Sequence, residues 1–249
     1  MSKIYEALNK AKREREGNGA PTGEEGQHAD LTDKEELSRH LRKVWTQYEK
    51  LHSSLGKTLG GVRGKAILFA SSVEGEGTTT VVTEYGASLG TGGEKGALLV
   101  DGNLRNPSLH ELFGLTNETG FADVLLGRRP LAECVSRIGE ENLSVLPSGT
   151  TPTSPSTLIT VSRFSRFLEE AKERHSLILI DGPPMIPYAE TGILGSAVDG
   201  VVLVVESDRT KREIVSRAKD AFQEANARLL GVILNRRRYV IPKFLYRYL

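Results

Sequence analysis

The residues best suited to chemistry lie in Ala70-Ser71-Ser72-Val73-Glu74-Gly75-Glu76-Gly77-Thr78-Thr79-Thr80, between a short apolar run, Ala66-Ile67-Leu68-Phe69, and a helix-like segment, Val81 to Leu89. A strand, a glycine-bearing turn and a helix in that order make an anion cradle, because backbone N–H groups at the turn and the helix N-terminus converge on one point. Gly75, Glu76, Gly77, Thr78, Thr79 and Thr80 supply that cradle. A phosphate loop of this shape carries a lysine after its last glycine; here that position is Thr78. Two other apolar runs end on an acid, Leu98-Leu99-Val100-Asp101 and Ile178-Leu179-Ile180-Asp181. Ligands of open α/β sheets bind at the carboxyl ends of strands, where an Asp can hold magnesium or its water against a phosphate. Either Asp alone reads as a turn or cap residue. Two of them beside a glycine turn, with the Thr79 hydroxyl, read as one shared metal–phosphate site.

These groups need a sheet to bring them together. Apolar strand candidates are Ala66–Ala70, Ala97–Val100, Leu143–Leu146, Leu177–Ile180, Val201–Val205 and Leu230–Leu234. Helical candidates between them are Thr79–Leu89, Thr157–Arg174, Ala189–Ala197 and Lys211–Ala227. Continuous Val/Ile/Leu runs belong to strands buried on both faces. The predicted fold class is α/β, a mostly parallel sheet covered by helices on both faces, over residues 59–235.

An N-terminal helical extension precedes it. Residues 1–16 place Ile4, Ala7, Leu8 and Ala11 on one face of a helix too short to stand alone, which therefore needs docking. Residues 17–31, rich in Gly, Glu, Asn, Thr and Pro, read as a flexible linker. Thr32-Asp33-Lys34-Glu35 is a capping box opening a helix over 32–58. Leu37, Leu41, Val44, Tyr48, Leu51 and Leu55 form its apolar stripe, and Glu36, Arg39 and Arg42 lie on another flank, exposed when the stripe docks. Residues 236–249 are a tail with five basic residues, no acidic ones, and Tyr239, Tyr246 and Tyr248. Within it, Arg236-Arg237-Arg238 reads as a solvated strand exit.

A net charge of +1 over 249 residues gives no support for general nucleic-acid or membrane affinity. The single Cys134 excludes an internal disulfide and fits a reducing cytoplasm; it reads as a small buried residue. The five histidines, with no close Cys/His spacing, offer no zinc site. No apolar run approaches the roughly 18–20 residues of a membrane span, and the N-terminus has no apolar signal segment.

In their order and spacing these motifs resemble the bacterial tyrosine kinases of capsule and exopolysaccharide biosynthesis, relatives of the MinD/ParA-like deviant P-loop ATPases. The resemblance rests on Met1-Ser2-Lys3-Ile4-Tyr5-Glu6-Ala7-Leu8 and on Glu36-x-x-Arg39-x-x-Arg42, similar to the family's E-x-x-R-x-x-R motif. It rests also on Asp101 to Phe113, with Arg105, Pro107 and His110, on Asp181-Gly182-Pro183-Pro184, and on Gly231-Val232-Ile233-Leu234-Asn235. It implies a P-loop NTPase-like fold, ATP or ADP with Mg2+ as cofactors, and Asp101 and Asp181 as the groups that would carry catalysis. It further implies metal ligation by Thr79, Asp101 and Asp181, adenine contact by Asn235, ring-like self-assembly through Glu36, Arg39 and Arg42, and Tyr239, Tyr246 and Tyr248 as phosphoacceptors.

The chain departs from the family pattern at charge-handling positions. Glu74 replaces a proline, Thr78 the lysine, and Asn103 the second Asp of D-x-D-x-R. Phosphoryl transfer depends on positioned charge, and removing one such stabiliser commonly costs orders of magnitude in rate, about 10²–10³-fold for an oxyanion-hole donor. Glu74 adds negative charge beside the anion site. A basic residue such as Arg105, or one from a neighbouring subunit, would have to supply what is missing.

The expected function is a cytoplasmic tyrosine-kinase-like module regulating exopolysaccharide or capsule polymerisation and export, binding ATP or ADP weakly and catalytically impaired. Its expected partners are a membrane polysaccharide co-polymerase or an active kinase in trans, in a homo- or hetero-oligomer recruited to the inner face of the plasma membrane, with no nucleic acid. One alternative is an active autokinase that phosphorylates its tail. Another is a MinD/ParA-like ATPase switch, although those ATPases usually keep the lysine that Thr78 replaces.

Overall fold

A computed structural model of the chain describes residues 46–89, 96–138, 142–151 and 154–236. Its strands are β1 (Lys65–Ser71), β2 (Ala97–Asp101), β3 (Ser136–Ile138), β4 (Leu143–Leu146), β5 (Leu177–Asp181), β6 (Gly200–Glu206) and β7 (Leu229–Asn235). They form one sheet in the order β3-β4-β2-β5-β1-β6-β7, parallel throughout except for the antiparallel β3–β4 pair. The continuous apolar runs are therefore two-faced strands, as their composition requires. Each of the six strand candidates is found, some extended by a residue or two at the ends.

Helices cover both faces. On one, α1 (residues 46–59) and α2 (Thr78–Ser88) pack over Ile67, Phe69, Leu99 and Leu179. On the other, α7 (Val161–Arg174), α8 (Glu190–Ala197) and α9 (Arg212–Glu224) bury Phe164, Phe167, Leu194 and Phe222 over Leu68, Ile180 and Leu203. Cys134 is buried in this second layer, as a small hydrophobe would be.

The stripe expected on the assembly helix is the buried face of α1. Tyr48 and Leu55 are buried and Leu51 half-buried, while Thr46, Gln47, Glu49 and Lys50 are exposed. Tyr48 stacks on the fully buried Tyr85 of α2, ring centroids 5.8 Å apart, and its hydroxyl donates to Glu84 Oε2 at 2.9 Å. His52 Nδ1 lies 2.9 Å from the Tyr85 hydroxyl, whose pKa burial pushes above its ordinary value. The expected beginning of this helix, with Glu36, Arg39 and Arg42, lies outside the described residues, as do the expected docking helix, the linker and the tail tyrosines Tyr239, Tyr246 and Tyr248.

Two departures have local causes. The helix expected over Thr157–Arg174 is two, α6 (Pro155–Leu158) and α7, because Ile159 and Thr160 are extended and Thr160 caps α7, its Oγ1 accepting from Arg163 N–H at 3.4 Å. Between β2 and β4 the chain also forms α3 (Leu109–Phe113), α4 (Phe121–Leu126), α5 (Leu131–Cys134) and the edge strand β3. These elements are too short for an apolar period to repeat, and tertiary packing defines them instead.

Candidate functional site

β1 and β2 flank β5, so the carboxyl ends of three strands meet at one edge of the sheet. Asp101 and Asp181 stand opposite each other in the β2–β5 register, and Phe69, just before the glycine turn, pairs with Asp181 across β1–β5.

The turn wraps directly onto α2. Gly77, its N-cap, has φ 85°, in the left-handed region that a side chain rarely tolerates. A Cβ there would also come within 2.2 Å of Asn235 Nδ2, so both backbone and space demand glycine. Asn235, buried at the end of β7, donates from Nδ2 to Glu76 O at 2.9 Å and so fixes the loop from outside. Glu76 does the same from within. It is 1% exposed, and its Oε2 accepts from Ser72 N–H (2.6 Å) and Val73 N–H (3.0 Å). Its Oε1 accepts from Glu206 N–H (3.1 Å) and the Thr210 hydroxyl (2.5 Å). Four donors account for this carboxylate, and through them β6 holds the shape of the loop.

The two aspartates are not so complete. Asp101 Oδ2 accepts from the N–H groups of Ser108 and Leu109, each at 3.0 Å. Asp181 Oδ2 accepts from the Thr79 hydroxyl at 2.6 Å, and the Ser108 hydroxyl lies 3.5 Å from Thr79 Oγ1. Oδ1 of each aspartate is buried with no hydrogen-bond partner among the described residues. Burial pushes the Asp101 carboxyl up to about 7, against the lowering effect of the N–H groups of Leu109, Ser108 and Asn103. Burial, and then the neighbouring Asp101 charge, hold Asp181 well above the usual carboxylate range, while the Thr79 hydrogen bond opposes them. Two orphaned oxygens and two hydroxyls form an all-oxygen ligand set beside the N–H groups of an anion cradle. It fits a hard divalent cation that keeps most of its waters and shares a phosphate.

Around this centre the loop is clasped by side chains. Tyr188 donates its hydroxyl to Glu74 Oε1 at 2.6 Å, and that bond pushes its phenol pKa up. The Arg105 guanidinium lies 4.3 Å from the Tyr188 ring centroid and donates from Nε to the buried Glu190 at 2.6 Å. Arg105, the cation expected to compensate for Thr78, is thus paired with Glu190. On the opposite side of the loop Arg236, the one described residue of the run read as a solvated strand exit, is bonded to the loop, while Arg237 and Arg238 lie outside the described residues. Arg236 turns back at φ 53° and donates from Nη1 to Gly75 O at 3.1 Å and to Glu206 Oε2 at 3.2 Å. The reason is local: Asn235 Oδ1 accepts from Arg236 N–H at 2.9 Å and directs the chain over the loop.

The structure thus brings together Gly75, Glu76, Gly77, Thr78, Thr79, Thr80, Asp101 and Asp181, with Asn235 buttressing the loop. Ser108, Tyr188, Thr210, Glu206 and Arg236 are added by the fold alone. Only Arg236 had a signal in the sequence, its place directly after Asn235.

The solved CapA2B2 chimera is similar to this chain at 30% identity and TM-score 0.66, over 70% of this chain and 77% of that one. The septum-site-determining protein MinD of Pyrococcus horikoshii, solved with Mg-ADP, has TM-score 0.59 at 23% identity, over 74% and 76%, a likeness of fold. The fold is that of P-loop NTPases. No family model matches the chain. Among curated proteins, the tyrosine-protein kinase CpsD of Streptococcus agalactiae is 33% identical over 199 residues, 80% of this chain and 86% of that protein. The tyrosine-protein kinase YwqD of Bacillus subtilis is 31% identical over 189 residues, 76% and 79%. With a strand-end aspartate pair against a glycine turn and these relatives along most of its length, the chain belongs to the bacterial tyrosine-protein kinase family.

Proposed function

We propose that this chain is a nucleotide-binding, kinase-like module of capsule or exopolysaccharide polymerisation and export, impaired in phosphoryl transfer. One observation carries the binding half: the orphaned Oδ1 atoms of Asp101 and Asp181, buried beside the backbone cradle. Thr79, Asp101 and Asp181 would hold Mg2+ with ATP or ADP, and the ion supplies charge stabilisation to the phosphates when bound. Gly75 to Thr80 orient the polyphosphate through backbone N–H groups, which do not depend on a lysine. Asn235, turned into the loop at Glu76 O, sets the edge against which the base would lie.

The impaired half rests on Thr78 and Asn103, neither of which brings a charge to the phosphates. No helix among the described residues is long and apolar enough to cross a membrane. By likeness to its tyrosine-kinase relatives, the module would act at the cytoplasmic face of the membrane, recruited by a co-polymerase or by an active kinase in trans and assembled through Glu36, Arg39 and Arg42. Incubation of the purified chain with ATP and magnesium, followed by anti-phosphotyrosine blotting, should give little labelling. Strong labelling lost on Tyr239/Tyr246/Tyr248→Phe overturns the impairment and makes the chain an active autokinase. For binding, millimolar ADP–magnesium should raise the melting temperature, since a ligand of the native state must stabilise it; no rise overturns the nucleotide site.

A further inference from the structure

The loop meets two guanidinium groups on its outer side. A Cβ on Gly75 would come within 3.5 Å of Arg209 Nη1, and Arg236 Nη1 donates to the Gly75 carbonyl at 3.1 Å. Glu206 Oε2 lies between them, 2.8 Å from Arg209 and 3.2 Å from Arg236. One carboxylate oxygen of Glu206 is thus shared by both guanidinium groups. Arg236 Nε is buried without a hydrogen-bond partner among the described residues, 4.0 Å from where a side chain on Gly77 would begin. A donor atom buried without an acceptor is costly, and although the Arg236 side chain as a whole is 30% exposed, its Nε calls for an anion or a water. The backbone adds a second, independent sign. A non-glycine residue in the left-handed region is disfavoured and persists where its surroundings enforce it. Here the enforcing contact is Asn235, whose amide joins the Glu76 carbonyl to the Arg236 N–H.

We propose that Arg236, held on the loop by Asn235 and Glu206, supplies the positive charge that Thr78 lacks, with the polyphosphate of a bound nucleotide as its acceptor. This rests on the nucleotide reading above and names the residue that makes binding possible without the loop lysine. A guanidinium suits the task because it keeps its charge at any working pH and bonds several oxygens at once. It reaches the loop from β7, in the same chain as the cradle.

The test is calorimetric titration of the full chain with ADP–magnesium and, separately, with inorganic tripolyphosphate, which has no base. Arg236→Ala is expected to weaken both by about tenfold or more, the loss of a charge-assisted hydrogen bond. Arg236→Gln keeps a donor for Gly75 O without the charge, and it should lose as much. Wild-type affinity in Arg236→Gln overturns the proposal, as does a loss confined to ADP with tripolyphosphate unaffected. Unliganded melting temperatures of both variants separate a lost ligand contact from a loosened loop; a fall in affinity matched by collapse of the unliganded fold in both overturns it too. A wild-type chain that binds neither ligand refutes the nucleotide reading itself, a result distinct from wild-type binding that survives the substitutions.

Discussion

Two sets of buried carboxylates border the same loop, and they are built in opposite ways. Glu76 is surrounded by four donors that leave it no need of a ligand. Asp101 and Asp181 keep one oxygen each without a partner among the described residues, and burial holds both carboxyls above the usual range, with the Asp101 charge adding to the effect at Asp181. The first arrangement is what a protein does with a charge it needs for shape. The second stores unfavourable electrostatics that only a proton or a cation relieves. All three are acids in the presumptive site, and bonding saturation alone separates scaffold from site.

Substitution at the saturated member should have the largest effect. Glu76→Ala strands four donors, two of them loop N–H groups, and should cost at least about 3 kcal/mol of stability in chemical denaturation, with no recovery on adding magnesium. At the unsaturated pair the sign should reverse. Asp181→Asn removes a buried like charge while keeping an acceptor for Thr79, so at about pH 8 the unliganded protein should melt no lower than wild type and by a few degrees higher. The same variant should lose the magnesium-dependent part of ADP stabilisation. If Asp181→Asn instead behaves like Glu76→Ala, the distinction between the two sets fails.

The pH profile sharpens it further. Asp101 has a folded pKa of about 7, above the roughly 3.9 of an unfolded chain. Between those values the folded state binds the extra proton, so stability must fall as pH rises through the window, and the raised Asp181 carboxyl adds to the fall in the same direction. Melting curves from about pH 5 to 8 should show that fall without magnesium; Asp101→Asn should make it shallower while the buried Asp181 keeps its own part, and ADP–magnesium should flatten it by taking the proton's place. Smallest of all is the effect expected away from both sets. Tyr48→Phe removes the hydroxyl bond to Glu84 while keeping the ring stack, and should cost about 1 kcal/mol.

Much of this was legible from residue order. Parallel strands announce themselves by unbroken apolar runs, and a strand-end Asp by its position, so β1, β2 and β5 with Asp101 and Asp181 could be read directly. What escaped was whatever depends on direction in space. Glu76 looked like a loop residue facing a ligand, but only coordinates show it turned inward to Thr210, far along the chain. Arg105 and Arg236 were equally basic on paper. One is taken up by Glu190 and the other is turned onto the loop by a left-handed residue that no periodicity reports. The short elements α3 to α5 and β3 escaped for a different reason, since three to six residues do not complete a pattern.

The seating of α1 bears on how this protein can be cut. Tyr48, Leu51 and Leu55 roof the face of α2 that buries Tyr85, and α2 begins at the glycine turn. Fragments trimmed to residue 60 for convenience would uncover an aromatic surface beneath the phosphate cradle and remove the His52 partner of the Tyr85 phenol. Such fragments should aggregate or bind nucleotide poorly for reasons unrelated to Thr78. A boundary upstream of residue 46 is therefore the sound starting point for any biochemical comparison with its relatives.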